Sequence, residues 1–121
     1  MISKVDLEAA LSAHAQWKKR LQDAIAKGES EFKVDTVKKD DACQFGKWLY
    51  GLTPEERDSD DCKKVLTYHA EFHRTAADVL ALALKGSKEE ALKMLEYGGP
   101  YSHISGRLVL ALNDWITRLA K

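Results

Sequence analysis

The sequence predicts an all-α fold: an antiparallel four-helix bundle, with a short helix carrying Cys43 inserted between the first two long helices. Three observations predict it. Apolar residues recur every three or four positions along three long segments and one medium one, as in helices that bury one face. No segment alternates with the period of two that a half-buried strand shows. Only two prolines occur, Pro54 and Pro100, so helices can run long, and breaks fall at Gly28 and at residues 51–54, 86–87 and 98–100. A chain of 121 residues is one domain, spanning residues 1–121.

Each element follows in order. Between Val5 and Lys27, the stripe Leu7, Leu11, His14, Trp17, Leu21, Ala24 and Ile25 marks one helix face. Ser3, with Asp6 three positions on, can cap its start, and Gly28 can end it. Residues 29–39 are polar, and their Val34 and Val37 read as parts of a connecting loop. Asp40 and Asp41 then precede residues 42–50, and acidic residues at a helix start favour a short helix of about two turns there. Thr53, Pro54 and Glu56 have the order of a cap, a first-turn proline and a capping-box acid, enough for one turn.

The longest helix is predicted over residues 59–85, with the stripe Val65, Leu66, His69, Phe72, His73, Ala76, Val79, Leu80, Ala83 and Leu84. Ser87 and Glu90 suggest a capping box opening a helix that stops at Gly98. The last helix starts near Tyr101 and carries Ile104, Leu108, Ala111, Leu112, Trp115 and Leu119 on one face.

Composition excludes several functions. Lys and Arg total 19, as do Asp and Glu, and a neutral chain lacks the basic excess of a nucleic-acid binder. No run approaches the ~18 apolar residues of a membrane helix, so no membrane insertion is expected. The N-terminus lacks the apolar run of a signal peptide, and two cysteines do not make a disulfide scaffold, so a cytoplasmic location with reduced thiols is expected.

The four His and two Cys carry the chemistry. His14, His69 and His73 lie on apolar stripes, and His69 and His73, four apart, project from one helix face. His14 and His69 each lie roughly 15–20 Å into their helices at ~1.5 Å per residue. Antiparallel neighbours then hold three imidazoles at one level. Any one of these histidines alone reads better as a hydrogen-bonded core residue. Three together cannot all ionise, and a divalent metal bound through neutral imidazole satisfies them. Cys43, in the first turn of the short helix where the dipole favours thiolate, is the candidate fourth ligand. Phe45 and Trp48 can pin that helix, and Gly46 permits a close approach to a neighbouring helix.

Three imidazoles and a thiolate suit Zn²⁺, and four protein ligands leave no open position for hydrolysis, so no catalytic residue is assigned. Glu71 lies between His69 and His73 but points away from their shared face, unlike the carboxylates of a di-iron bundle. A purely structural zinc site is the main alternative. A metalloenzyme or haem bundle is a weaker one, because it leaves Cys43 without a role. Cys62 and His103 read as ordinary residues. Trp17, Trp48, Trp115 and Tyr101 read as packing aromatics, with a hydrogen bond from Tyr101 to a ligand ring as a lesser option. The run Lys18, Lys19 and Arg20 reads as a solvated face.

His14-x-x-Trp17-Lys18, Cys43-x-x-Gly46-x-Trp48 and His69-x-x-x-His73, in that order and at these separations, resemble the chemoreceptor zinc-binding domain family. The resemblance spans essentially the whole chain. It implies a four-helix bundle, usually homodimeric, with zinc held by His14, Cys43, His69 and His73. It also implies a sensory, non-enzymatic role controlling a chemoreceptor or diguanylate cyclase output, with zinc or hypochlorous acid, acting at a redox-reactive Cys43, as the signal. No such output module is visible in the sequence, so the output is expected in another molecule or another part of the protein.

Overall fold

A computed structural model describes residues 2–119; the outermost residues of the predicted domain, Met1, Ala120 and Lys121, lie outside them. The described residues are helical, with no strand among them. The first helix, α1, spans Lys4–Lys27 and starts as its sequence suggests: the Ser3 hydroxyl accepts from the Asp6 amide. Gly28 ends it in the left-handed region at φ 72°, which costs glycine little.

The predicted loop after α1 contains a helix, α2 (Val34–Lys38), with Val37 buried. Five residues are too few for a periodic signal and too short to be stable alone. Packing against a long neighbour holds α2 in place.

The next helix, α3, spans Gln44–Tyr50, with Cys43 rather than Asp40 or Asp41 as its cap. Helix α4 (Pro54–Arg57) has the predicted capping box, with Thr53 and Glu56 each bonding the other's backbone. Helix α5 (Asp60–Leu84) is the longest and packs against α1, α2, α6 (Lys88–Leu95) and α7 (Pro100–Leu119).

The predicted box at Ser87 does not form: its side chain makes no cap bond, and its backbone (φ −81°, ψ 62°) departs from the extended geometry a capping hydroxyl needs. Helix α6 stops at Leu95, short of Gly98, because Glu96 turns to an extended backbone at ψ 157°.

Leu7, Leu21, Val65, Phe72, Leu80, Leu108 and Leu112 form a continuous buried core. Each such side chain contributes about 1.5–3 kcal/mol through burial. Two predicted stripe residues lie outside it: Leu84 and Leu119 stand 42% and 40% exposed, since each ends its helix beyond the facing elements. Arg118 pairs with Asp61 while the Tyr101 ring lies 5.4 Å from Phe72, so α7 runs antiparallel to α5. No helix of the described residues is long and apolar enough to cross a membrane.

Candidate metal centre

The long helices set two of the three arms of the site. His14 projects from mid-α1, and His69 and His73 from adjacent turns of α5, all three buried. The His14 ring lies 4.9 Å from that of His69 and 5.9 Å from that of His73, so the common level read from helix depth is met. Cys43 arrives from the loop before α3. One candidate ligand atom from each of His14, Cys43, His69 and His73 lies within 4.8 Å of all the others. The Cys43 Sγ is 3.4 Å from His69 Nε2, which is 3.1 Å from His73 Nε2.

Outer contacts decide which nitrogens face inward. His14 Nδ1 lies 2.7 Å from the Ala10 carbonyl, and His73 Nδ1 lies 2.9 Å from the Val37 carbonyl. A carbonyl only accepts, so both Nδ1 atoms carry the proton and both Nε2 atoms present lone pairs to the cluster. A carbonyl behind a metal-ligating imidazole fixes ring orientation in this way. Sequence reasoning missed the Val37 carbonyl because it took α2 for loop; the three-residue spacing of Val34 and Val37 was the available signal.

The lone pairs of His14 Nε2 and His73 Nε2 and the sulfur of Cys43 converge. His69 Nε2 and the Cys43 thiol can each supply at most one proton among them. His14 Nε2 is buried and makes no hydrogen bond at all, a cost of about 1–3 kcal/mol. A divalent cation accepts all of these lone pairs at once, and a thiol with three imidazoles is a tetrahedral zinc set. The residues present therefore fit zinc. His69 Nδ1 likewise makes no hydrogen bond.

Electrostatics agree with neutral rings. Burial, opposed by the Ala10 hydrogen bond and aided by His73, lowers the His14 pKa to about 4. Burial, with repulsion from His73 and His14, lowers that of His69 to about 2. Burial also lowers His73, against the pull of the Val37 carbonyl and Asp40.

Cys43 departs from expectation. Its sulfur does accept the Gly46 amide at 3.2 Å, as a helix N-terminus allows. Burial nevertheless outweighs that contact and pushes the metal-free thiol up, not down.

The supporting residues have definite places. Phe45 stacks on Trp48 with ring centres 5.5 Å apart and meets the His69 ring edge-on with centres 5.2 Å apart, while the Trp48 and Trp115 rings, the latter on α7, lie 6.2 Å apart. Trp17 packs 6.4 Å from His73 and 5.2 Å from Phe32. Gly46 faces a loop, not the neighbouring helix that was expected: a Cβ there would overlap the Asp40 carbonyl. That loop is tied down by Tyr50, whose hydroxyl donates to Asp40 at 2.6 Å and is thereby pushed up to about 12. Gly46→Ala should therefore force the 40–43 loop away and destabilise the protein by about 1–3 kcal/mol, read as a lower urea midpoint. An unchanged midpoint would show that the loop yields freely.

Residues expected to be ordinary are so placed. Cys62 is fully buried and His103 is exposed. Tyr101 is buried with an unpartnered hydroxyl, so no hydrogen bond reaches a ligand ring, and burial holds its pKa above the usual range.

Residues 14–80 match the chemoreceptor zinc-binding domain, CZB. The matched segment covers more than half of the chain and includes all four converging residues. The chain belongs to the CZB family. No curated protein and no solved structure matches it. The family is described as zinc-binding, and the 3-His/1-Cys cluster is a group of residues that could hold a metal ion.

Proposed function

We propose that this CZB chain is a zinc-binding sensory domain of bacterial signalling, of chemotaxis or cyclic-di-GMP type, acting in the cytoplasm as a homodimer and without enzymatic activity. His14, Cys43, His69 and His73 would hold the zinc, which would tie the three elements together and keep the cysteine as a thiolate. The convergence of three buried imidazoles and a thiol within 4.8 Å carries this reading. In it, α1, α5, α6 and α7 form an antiparallel bundle and α3 is the inserted mobile piece. The output is a chemoreceptor or diguanylate cyclase.

Cys43 is suited to link signal to structure because it serves two purposes. It offers the fourth ligand, and its sulfur caps α3 through the Gly46 amide. Hypochlorous acid converts such a thiolate to sulfenic acid and releases chloride, which weakens the sulfur as a ligand. Loss of either role frees α3, whose Phe45 and Trp48 contact His69 and Trp115.

Metal analysis combined with hydrodynamic size tests the proposal. The wild type should carry one zinc per chain and migrate as a dimer. Cys43→Ala should retain less than a tenth of the metal after dialysis against micromolar chelator. Full retention would assign the site to other ligands. Zinc that never exchanges at cellular levels would favour a structural staple over a sensor.

A further inference from the structure

A cavity of about 290 Å³ opens from solvent onto the metal centre, between α1, α2 and the start of α3. His14, Cys43 and His73 lie at its inner end, and Trp17, Val37 and Phe45 wall it. Neither of the other two cavities found among the described residues is lined by Cys43.

The charges at its mouth are one-sided. Arg20 and Lys39 line it, both exposed, and no carboxylate does, although Asp40 acts on Cys43 and His73 from outside the lining, in a chain whose charges otherwise balance. The Arg20 guanidinium stands 5.1 Å from the centre of the Trp17 ring and 5.4 Å from that of Phe32. Such cation–π contacts hold a charge in position while leaving its field unspent. Neither Arg20 nor Lys39 forms an ion pair among the described residues. Cations at the mouth of an apolar cleft focus their field along it and concentrate anions at its inner end. The run of Lys18, Lys19 and Arg20 thus divides: the first two are exposed and line no cavity, while Arg20 stands between two, this one and a second that Asp23, Glu29 and Glu31 also line.

We propose that this cavity is the route by which small molecules reach Cys43, and that Arg20 and Lys39 make it selective for compact, anionic, thiol-directed reagents. The proposal rests on the reading of Cys43 as the reactive thiol and adds which reagents reach it. At about 290 Å³ the cavity falls just below the size of pockets that hold drug-sized ligands, about 300–1,000 Å³, so it admits small molecules, and the apolar walls give a large hydrated solute nothing to bind.

Alkylation of the metal-free chain with iodoacetate and with iodoacetamide tests it. In both reactions the Cys43 sulfur attacks the CH₂ carbon, the S–C bond forms, and iodide leaves with the C–I electron pair. The reagents are nearly equal in size and differ in charge, so the ratio of their rates cancels any change in thiolate fraction. Mass spectrometry of the peptides separates Cys43 from Cys62.

The double variant Arg20→Gln/Lys39→Gln should lower the iodoacetate-to-iodoacetamide ratio at Cys43 roughly tenfold. Lys18→Gln/Lys47→Gln, with the same change of net charge away from the cavity, should leave the ratio nearly unchanged. Thr36→Trp, at an exposed position of the mouth, should slow both reagents alike.

An unchanged ratio in the first variant, or an equal fall in the second, overturns the selective route while leaving Cys43 reactive. Undiminished rates in a folded Thr36→Trp protein show another way in. Failure of Cys43 to react with either reagent overturns the reading of this thiol as reactive, and the route with it.

Discussion

Chelating the metal near neutral pH should lower the unfolding free energy by about 4 kcal/mol, measured from a state in which free zinc stands a thousandfold above its dissociation constant. The loss is large because the four converging side chains come from three separate elements, α1, the loop before α3, and α5. No such site exists in the unfolded chain, so binding energy is folding energy. Without zinc, the buried lone pair of His14 Nε2 has no hydrogen-bond partner. Hydrogen exchange should quicken first in α3, which spans only Gln44–Tyr50 and has a cap that depends on the Cys43 sulfur. Equal melting temperatures and equal α3 protection with and without zinc would contradict a metal-dependent fold.

Acidifying the metal-free protein from pH 7 to 5 should cost on the order of 4 kcal/mol. The sign follows from the lowered histidines. An unfolded His titrates at 6.5, whereas folded His14 and His69 titrate at about 4 and about 2. Below pH 6.5 the unfolded chain takes up protons that the folded chain refuses. Stability is therefore complete above 6.5 and falls with falling pH, ending near 4 for His14 and near 2 for His69. Each residue accounts for roughly 2 kcal/mol of the loss by pH 5. Most domains hold only ~5–15 kcal/mol in total, so the apo form should unfold in mild acid. His14→Gln, which cannot ionise, should reduce the slope of urea-determined stability between pH 6.5 and 5 by about half. A pH-independent apo stability would mean the three rings are solvated rather than buried.

The histidine cluster was legible because its geometry is mostly helical geometry. His69 and His73 share a face by spacing alone, and the stripe through Leu7, His14 and Leu21 puts the third ring on the inner side of α1. Cys43 was legible as a member of the converging cluster but not as a cap. Asp40 and Asp41 are the better caps by residue type, yet the Asp40 side chain is taken up by Tyr50 and the sulfur stands nearer the Gly46 amide. The raised thiol pKa was not legible at all, because burial depends on what covers the residue rather than on its neighbours in sequence. The same reason applies to Leu84 and Leu119, which keep the helical rhythm but run past the elements that would bury them.

The sequence by itself determined the long helices, their buried faces and the four side chains that meet, since apolar periodicity and residue spacing are local properties that a rigid helix carries faithfully over ~1.5 Å per residue. Only the tertiary structure decided the rest. Helix α2 exists because Val37 has a core to pack into. The His73 tautomer follows from a carbonyl thirty-six positions away in the chain. The passage to Cys43 is charged because Arg20 and Lys39, on opposite sides of the loop after α1, are folded to the same opening. Each of these depends on contacts between distant segments, and such contacts leave no periodic trace in the chain that makes them.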